Sequence, residues 1–255
     1  MLTVGFDAAG KETDQEHLVV AGFVSTANDW MDFDKAWREK LKLEGKEYFH
    51  RSEYGRFVKP DSPRERFFLD LIEIIRTHTY QKFGCTVPIK LMYEILSPEI
   101  KKHFHMHSFV LASLYAISQV RKWQAHETGF REKPIRWVFE RGDAGKGLLE
   151  KAMLQAGEPI PQFEFKKDQK FPDGREEKAF TPLQAADFLA YELFQVGSKY
   201  ADVPGRTSDY NYAFIDAFRL KHGEPSYLIE DTLRGIDDVL RLQKITYEWA
   251  KERLF

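Results

Sequence analysis

Asp187 is the residue whose surroundings in the sequence most strongly indicate a chemical role. It lies in an apolar stretch, with Ala186 and Phe188 beside it and Leu183 and Tyr191 one turn away on the same helical face. Asp is a poor residue for a helix interior, and burying its charge without a partner costs several kcal/mol or shifts its pKa. We therefore expect a cation beside Asp187, supplied by a lysine, an arginine or a metal ion.

Other acidic residues from separate segments could join Asp187. Asp7 ends an apolar strand predicted over 2–6, and Glu140 and Asp143 follow a strand predicted over 135–139. Strand ends meet at one edge of an α/β sheet, and converging carboxylates repel one another unless a cation lies between them. Mg²⁺ and Mn²⁺ prefer oxygen ligands, and two such ions can clamp the oxygens of a phosphoryl transfer. Alternatively, each acid only makes local backbone hydrogen bonds, as Asp commonly does at turns.

A second polar cluster follows Phe49. His50 could be a metal ligand, a general base or a substrate contact, or it could be an exposed loop residue. Glu53, three residues later, is a further candidate for binding substrate. Ser52 lacks the Gly-x-Ser-x-Gly context of a hydrolase nucleophile. His107 falls on the apolar stripe of a predicted helix, which favours a core or cleft histidine over a zinc ligand.

The segment that leads into the Asp187 helix is basic and ends in a helix-start pattern. Lys166 and Lys167 either belong to a solvated loop or contact phosphates beside the acidic site. Thr181 suits the N-cap and Pro182 the first helical position. Gln184 falls where a capping box places Gln or Glu, and contact with a substrate is its alternative role.

An α/β domain with a mixed sheet flanked by helices is needed to position these side chains. The first two strands are expected to pair as an antiparallel hairpin. In chain order, predicted strands cover 2–6, 17–25, 83–89, 135–139 and 161–165, and 48–53 is predicted to be a short strand that runs into a loop. Predicted helices cover 29–43, 63–75, 97–124 and 147–155, with another from 181. Beyond the domain at 1–200, residues 201–255 are predicted to be a helical extension packed on the core, with clearer helices at 212–220 and 227–242.

Composition excludes some classes of protein. The 255 residues carry a formal net charge of -2, so no overall basic field indicates nucleic acid, although a local basic groove remains compatible with that charge. The single cysteine, Cys85, leaves no internal disulfide and suits a reducing compartment. We see no signal peptide and no apolar run that could span a bilayer, and therefore expect a cytoplasmic protein without a membrane partner.

Four landmarks together resemble the family known as domain of unknown function 3800, over roughly residues 1–200. They are Gly5-Phe6-Asp7-Ala8-Ala9-Gly10 with the following apolar strand, Phe49-His50-Arg51-Ser52-Glu53, the acids Glu140 to Asp143, and Leu183-Gln184-Ala185-Ala186-Asp187-Phe188-Leu189-Ala190-Tyr191. Two segments depart from the family pattern. Ala8-Ala9-Gly10 stands where the family has Glu-Ser-Gly, and Phe165-Lys166-Lys167-Asp168 stands where it has a Ser-Lys element.

The resemblance implies a ribonuclease H-like fold and a two-metal phosphodiester hydrolase that acts on DNA or RNA. Asp7, Asp187 and either Glu140 or Asp143 would bind Mg²⁺ or Mn²⁺, and His50 would assist them. The Ala8-Ala9 turn favours an alternative, a catalytically silent domain that binds nucleic acid or a protein. A metal-dependent hydrolase of a small phosphorylated compound is a third hypothesis, which the modest net charge permits.

Overall fold

We describe the protein from a computed structural model. The described residues are 1–10, 16–55, 58–98, 107–142, 145–200 and 226–227. The strands within them are β1 (Leu2–Ala9), β2 (His17–Thr26), β3 (Gln81–Pro88), β4 (Ile135–Glu140), β5 (Gln162–Glu164), β6 (Gln169–Lys170), β7 (Glu176–Glu177) and β8 (Ser226–Tyr227). The helices are α1 (Ala27–Leu43), a 3-10 helix (Arg51–Tyr54), α2 (Pro63–His78), α3 (Ile89–Ile95), α4 (Ser108–His126), α5 (Lys146–Gln155) and α6 (Pro182–Tyr200).

Six of these strands form one mixed sheet in the order β5-β4-β1-β2-β3-β8. Strands β1, β2 and β3 pair antiparallel, whereas β4 is parallel to β1, β5 is parallel to β4, and β8 is parallel to β3. The predicted hairpin of the first two strands and the mixed α/β sheet are therefore confirmed. Strands β6 and β7 form a separate two-stranded ribbon in the segment between β5 and α6.

Helices cover both faces of the sheet. Strands β1 and β2 are therefore buried on both sides, which agrees with their continuous apolar sequences. One face packs α3, α4 and α5 against residues such as Val4 and Phe6. The other face packs α1, α2 and α6 against residues such as Ala21 and Phe23. Side chains alternate along a strand, and Asp7 is paired with Ala21, so Asp7 points toward the α6 face.

The helices before β3 follow their sequence patterns closely. Helix α1 buries the predicted stripe of Trp30, Phe33, Trp37 and Leu41. Helix α2 begins after Ser62, whose hydroxyl accepts a hydrogen bond from the Glu65 backbone, and it buries the apolar residues predicted for it. These stripes are strong signals because each combines helical spacing with large aromatic side chains.

Several predicted boundaries are wrong. Strand β1 continues through Asp7 to Ala9, because β2 supplies antiparallel partners along its whole length. Glu140 is likewise the last residue of β4 rather than the first residue after it. The short strand expected at the start of 48–53 is absent, and this irregular segment leads into the 3-10 helix, which is followed by Gly55 in a positive-φ conformation.

The single helix predicted over 97–124 is also wrong. His107 has extended backbone angles, and its ring accepts the backbone N–H of Phe109, so a new helix, α4, begins at Ser108. His107 is therefore a helix cap and not a residue of a helical stripe. Most of the predicted C-terminal helices lie outside the described residues, but Tyr227, expected in a helix, lies in strand β8. In the described part of the chain, no helix combines the length and apolar character needed to cross a membrane.

Candidate active site

Asp7 and Asp187 meet on the α6 face of the sheet, and one lysine lies between them. The Lys166 ammonium donates to Asp7 Oδ2 at 2.9 Å and to Asp187 Oδ1 at 3.1 Å. Asp7 is 1% exposed and Asp187 is 6% exposed, so both carboxylates are removed from water. The cation expected beside Asp187 is therefore confirmed, and it is Lys166. The same ammonium also neutralises Asp7, which the sequence had placed in this cluster.

Three donors surround Asp187. Its Oδ1 contacts His50 Nδ1 at 2.8 Å in addition to Lys166, and its Oδ2 accepts the backbone N–H of Arg51 at 2.7 Å. Its position is also fixed by packing, because α6 packs against both β1 and β2. A carboxylate that accepts several hydrogen bonds and a positive charge is stabilised in its ionised form.

Gln184, one turn before Asp187 on α6, joins three separate parts of the site. Its Oε1 accepts hydrogen bonds from Trp37 Nε1 and from the Phe49 backbone, each at 2.8 Å. Its Nε2 donates to the Lys166 carbonyl oxygen at 2.6 Å. The capping-box interpretation is therefore wrong, since the buried carboxamide bonds to α1, the His50 segment and the Lys166 loop. Thr181 also bonds elsewhere, its hydroxyl donating to Asp34 at 2.6 Å.

The pKa values of the cluster follow from burial and from the shared lysine. Burial raises the pKa of Asp7 to about 7; Lys166 opposes the shift, while the negative charges of Asp187 and Glu140 add to it. Burial also acts to raise the pKa of Asp187, but the hydrogen bond from His50 and the charge of Lys166 outweigh it and lower that pKa. Burial acts to lower the pKa of Lys166, but the charges of Asp7 and Asp187 outweigh it and raise that pKa. Lys166 is therefore charged at neutral pH, whereas Asp7 titrates close to neutral pH.

The remaining predicted acids are placed differently. Glu140 is half-buried at the end of β4, where its carboxylate accepts the backbone N–H of Gly142 at 3.0 Å. Its charge acts on both Asp7 and Lys166, so it borders the cluster. Asp143 lies outside the described residues. Glu53 is exposed and accepts a hydrogen bond from the Tyr48 hydroxyl.

His50 borders the cluster, and Lys167 follows Lys166 along the chain. The hydrogen bond to Asp187 raises the pKa of His50, against an opposing effect of burial. On its other side, His50 Nε2 lies 2.8 Å from the Ser52 hydroxyl oxygen. The ammonium of Lys167 lies 4.4 Å from the centre of the Tyr48 ring and is exposed. Of the two predicted phosphate contacts, Lys166 thus pairs with the acids and Lys167 faces solvent.

Two residues of the site were missed by sequence reasoning. Ser52 was set aside because it lacks a nucleophile motif, although it follows His50 by two residues. Arg51 is almost completely buried, and its guanidinium contacts Glu192 at 2.7 Å and Gly55 at 2.7 Å. The signal for Arg51 was Glu192 itself, a second acid on the apolar helix, which calls for a second buried cation.

The donor set suits one cation between two carboxylates. Among the described residues, no group of three or more His, Cys, Asp or Glu side chains is arranged to hold a metal ion. Asp7 and Asp187 nevertheless contact the same ammonium, and Glu140 adds a third negative charge nearby. Carboxylate oxygens are the ligands that Mg²⁺ and Mn²⁺ prefer. The residues present therefore fit a hard cation at the position of the Lys166 ammonium.

Comparison with known proteins gives no assignment: neither a scan of protein-family models nor a search of curated proteins finds a match to this chain.

Proposed function

We propose that the protein is a Mg²⁺- or Mn²⁺-dependent phosphodiester hydrolase that acts on DNA or RNA. The observation that carries the proposal is the pair of buried carboxylates, Asp7 from β1 and Asp187 from α6, that share a single cation. Burying two acids beside one ammonium has a large desolvation cost, and binding of a divalent cation is a function that would account for such an arrangement. The resemblance to a ribonuclease H-like family favours the same chemistry.

In this proposal Asp7 and Asp187 hold the metal, with Glu140 or Asp143 completing its ligands. When bound, the metal supplies a Lewis acid that activates water and neutralises charge on the phosphoryl group. His50 moves the proton: Asp187 holds its Nδ1, so its Nε2 is free to exchange a proton with water or a leaving group, once Ser52 turns away. The exposed Lys167, and Lys166 once it is released from the two acids, would supply positive charge to the phosphate backbone.

A second candidate function is a catalytically silent domain that binds nucleic acid or a protein. One specific observation favours it. The Lys166 ammonium already satisfies both Asp7 and Asp187, so the cluster is complete without a divalent ion. In this alternative the Lys166 ammonium has a purely structural role, because without it the buried carboxylates would lack a compensating charge.

Calorimetric titration with Mn²⁺ tests the proposal, with the unmodified protein compared with Asp7→Asn and with Asp32→Asn. Asp32 is an exposed acid on α1 and serves as the matched control. We expect saturable binding that is lost in Asp7→Asn and kept in Asp32→Asn. Metal-dependent cleavage of end-labelled DNA and RNA, single- and double-stranded, should be lost in the same variant. Competition by free nucleotides would indicate a small phosphorylated substrate instead.

The contrary result is absence of Mn²⁺ binding both by the unmodified protein and by Lys166→Met, with single-stranded nucleic acid present in each case. Lys166→Met removes the competing ammonium, so failure of that variant to bind cannot be attributed to the lysine. This outcome would leave the silent binding domain as the better explanation.

A further inference from the structure

Asp187, His50 and Ser52 form a continuous hydrogen-bonded chain. Asp187 Oδ1 lies 2.8 Å from His50 Nδ1, and His50 Nε2 lies 2.8 Å from Ser52 Oγ. The two contacts use opposite nitrogens of one imidazole ring. This is the order of groups by which serine hydrolases activate their nucleophile: an acid orients a histidine, and the histidine accepts the serine proton.

The chemistry of the three groups sets the direction of proton transfer. An ionised Asp187 can only accept hydrogen bonds, so His50 Nδ1 must carry a proton. In the neutral ring His50 Nε2 then carries a lone pair, and the Ser52 hydroxyl donates a hydrogen bond to it. His50 is thereby held in the tautomer that can remove the Ser52 proton.

The arrangement is more than a local contact between two residues close in sequence. The acid comes from α6, 137 residues from His50 along the chain. Three further contacts hold the His50 segment: Arg51 N–H to Asp187, the Phe49 N–H to Gln184, and the buried Arg51 side chain to Glu192. Ser52 itself is exposed, so a reagent in solution can reach its oxygen.

We propose that Ser52 is a nucleophile that accepts the acyl group of a carboxylic ester. Its Oγ attacks the ester carbon as the Ser52 proton passes to His50 Nε2. The tetrahedral intermediate then breaks its bond to the leaving alcohol, which takes the proton from His50. Water next attacks the acyl-serine, gives a proton to His50, and releases the carboxylic acid as the proton returns to Ser52.

An uncharged ester suits this site better than a phosphate in the absence of metal. The charges of Asp7, Asp187 and Glu140 all act on the Lys166 ammonium that lies among them, and Glu53 lies one residue from Ser52. An anionic substrate without a counter-ion would meet repulsion from these carboxylates. This activity goes beyond the metal-dependent hydrolysis proposed above, because it requires no divalent ion.

Labelling with an alkyl fluorophosphonate in the presence of EDTA tests the proposal, with peptide mass spectrometry to locate the modified residue. We expect the label on Ser52, no label on that peptide in Ser52→Ala, and a rate at least ~100-fold lower in His50→Ala. Ser118→Ala, which removes an exposed serine on α4, should be labelled like the unmodified protein. p-Nitrophenyl acetate should release a burst of about one equivalent of nitrophenol.

A folded, unmodified protein that takes no label, or that takes it on another serine, would overturn the proposal. Labelling of Ser52 that survives unchanged in His50→Ala would also overturn it, because the histidine would then not activate the serine. EDTA separates the two activities. If the unmodified protein is labelled on Ser52 but does not bind Mn²⁺, only the metal-dependent function is contradicted. If it binds Mn²⁺ but is not labelled, only the role of Ser52 as a nucleophile is contradicted.

Discussion

Arg51 and Glu192 form an ion pair inside the core, with 2.7 Å between Nε and Oε1 and only 2% and 3% of the two side chains exposed. The guanidinium also lies over the rings of Phe68 and Tyr191, at 4.7 and 4.6 Å from their centres. Burial raises the pKa of Glu192, and the charge of Arg51 opposes that shift. The pair attaches the 3-10 helix to α6 and so fixes the distance of the His50 segment from Asp187.

Arg51→Met should lower the free energy of unfolding by about 3–5 kcal/mol, because Glu192 would remain buried without a cation. Urea unfolding at pH 7 measures this loss. The double variant Arg51→Met/Glu192→Met should recover most of it, since two apolar side chains of similar volume replace both charges. A double variant no more stable than the single one would show that the aromatic contacts of Arg51, and not its charge pairing, hold this segment.

Asp187→Asn is expected to destabilise the protein. Replacing the carboxylate relieves little repulsion, because the Lys166 ammonium already lies between Asp7 and Asp187. The variant weakens hydrogen bonds from His50, Lys166 and the Arg51 backbone, so the free energy of unfolding should fall by about 1.5–3 kcal/mol. Urea unfolding with EDTA, beside Asp32→Asn, measures the change. Equal or higher stability would indicate that repulsion still dominates.

The same variant should change the titration of His50. The hydrogen bond to Asp187 is the main cause of the raised His50 pKa, so that pKa should fall when the carboxylate becomes an amide. Proton NMR of the imidazole resonances over pH 5–9 follows it directly. An unchanged His50 pKa would mean that the ring does not contact Asp187 in solution.

Asp7 should make stability depend on pH between its unfolded and folded pKa values, which are 3.8 and about 7. Across this window the folded protein retains a proton that the unfolded chain has released, so the free energy of unfolding falls as pH rises. The slope from this one group is at most about 1.4 kcal/mol per pH unit. Asp7→Asn lacks this contribution, so its stability relative to the unmodified protein should increase from pH 4 to 7 and then level off.

Urea unfolding at pH 4, 5, 6, 7 and 8 in EDTA provides the comparison. Parallel curves for the two proteins would show that Lys166 keeps Asp7 ionised throughout, against the expected rise of its pKa.

Lys166→Met should convert the cluster into a site that depends on metal for stability. Removing the ammonium leaves two buried acids without a cation, and the free energy of unfolding at pH 7 should fall by about 3 kcal/mol or more. Mn²⁺ should restore stability, because a ligand that binds only the folded state raises the melting temperature. Lys167→Met, which removes the ammonium over Tyr48, should show neither effect. If Mn²⁺ leaves the melting temperature of Lys166→Met unchanged, metal binding between Asp7 and Asp187 is contradicted.

The regular elements were predictable wherever spacing and residue type agreed. The β1–β2 pair and the stripe of α1 follow from continuous apolar runs and helical periodicity, and both are present. The need for a cation at Asp187 was also predictable, because burial of a charge has a large free-energy cost in any fold. The strands and the helix follow from patterns of neighbouring residues, and the need for a cation follows from a free-energy cost that applies in any fold.

The identity of the partners could not be read from the sequence in the same way. Lys166 lies in a segment without periodicity, and its contact with Asp7 spans 159 residues. Gln184 matched a local capping pattern, but three tertiary hydrogen bonds use its side chain instead. The hydrogen-bonded series from Asp187 through His50 to Ser52 forms only when α6 brings Asp187 beside His50. Such contacts are set by how distant elements pack, which local patterns do not encode.

Strand β8 has a consequence for where the chain can be divided. Ser226 and Tyr227 pair with Cys85 and Thr86 on β3, although they fall within the extension predicted to follow the domain. A protein shortened to residues 1–200 would leave that part of β3 as an open edge, with backbone groups available to a second copy. The segment that carries β8 therefore covers part of the β3 edge, and we expect the shortened protein to self-associate more readily than the full chain.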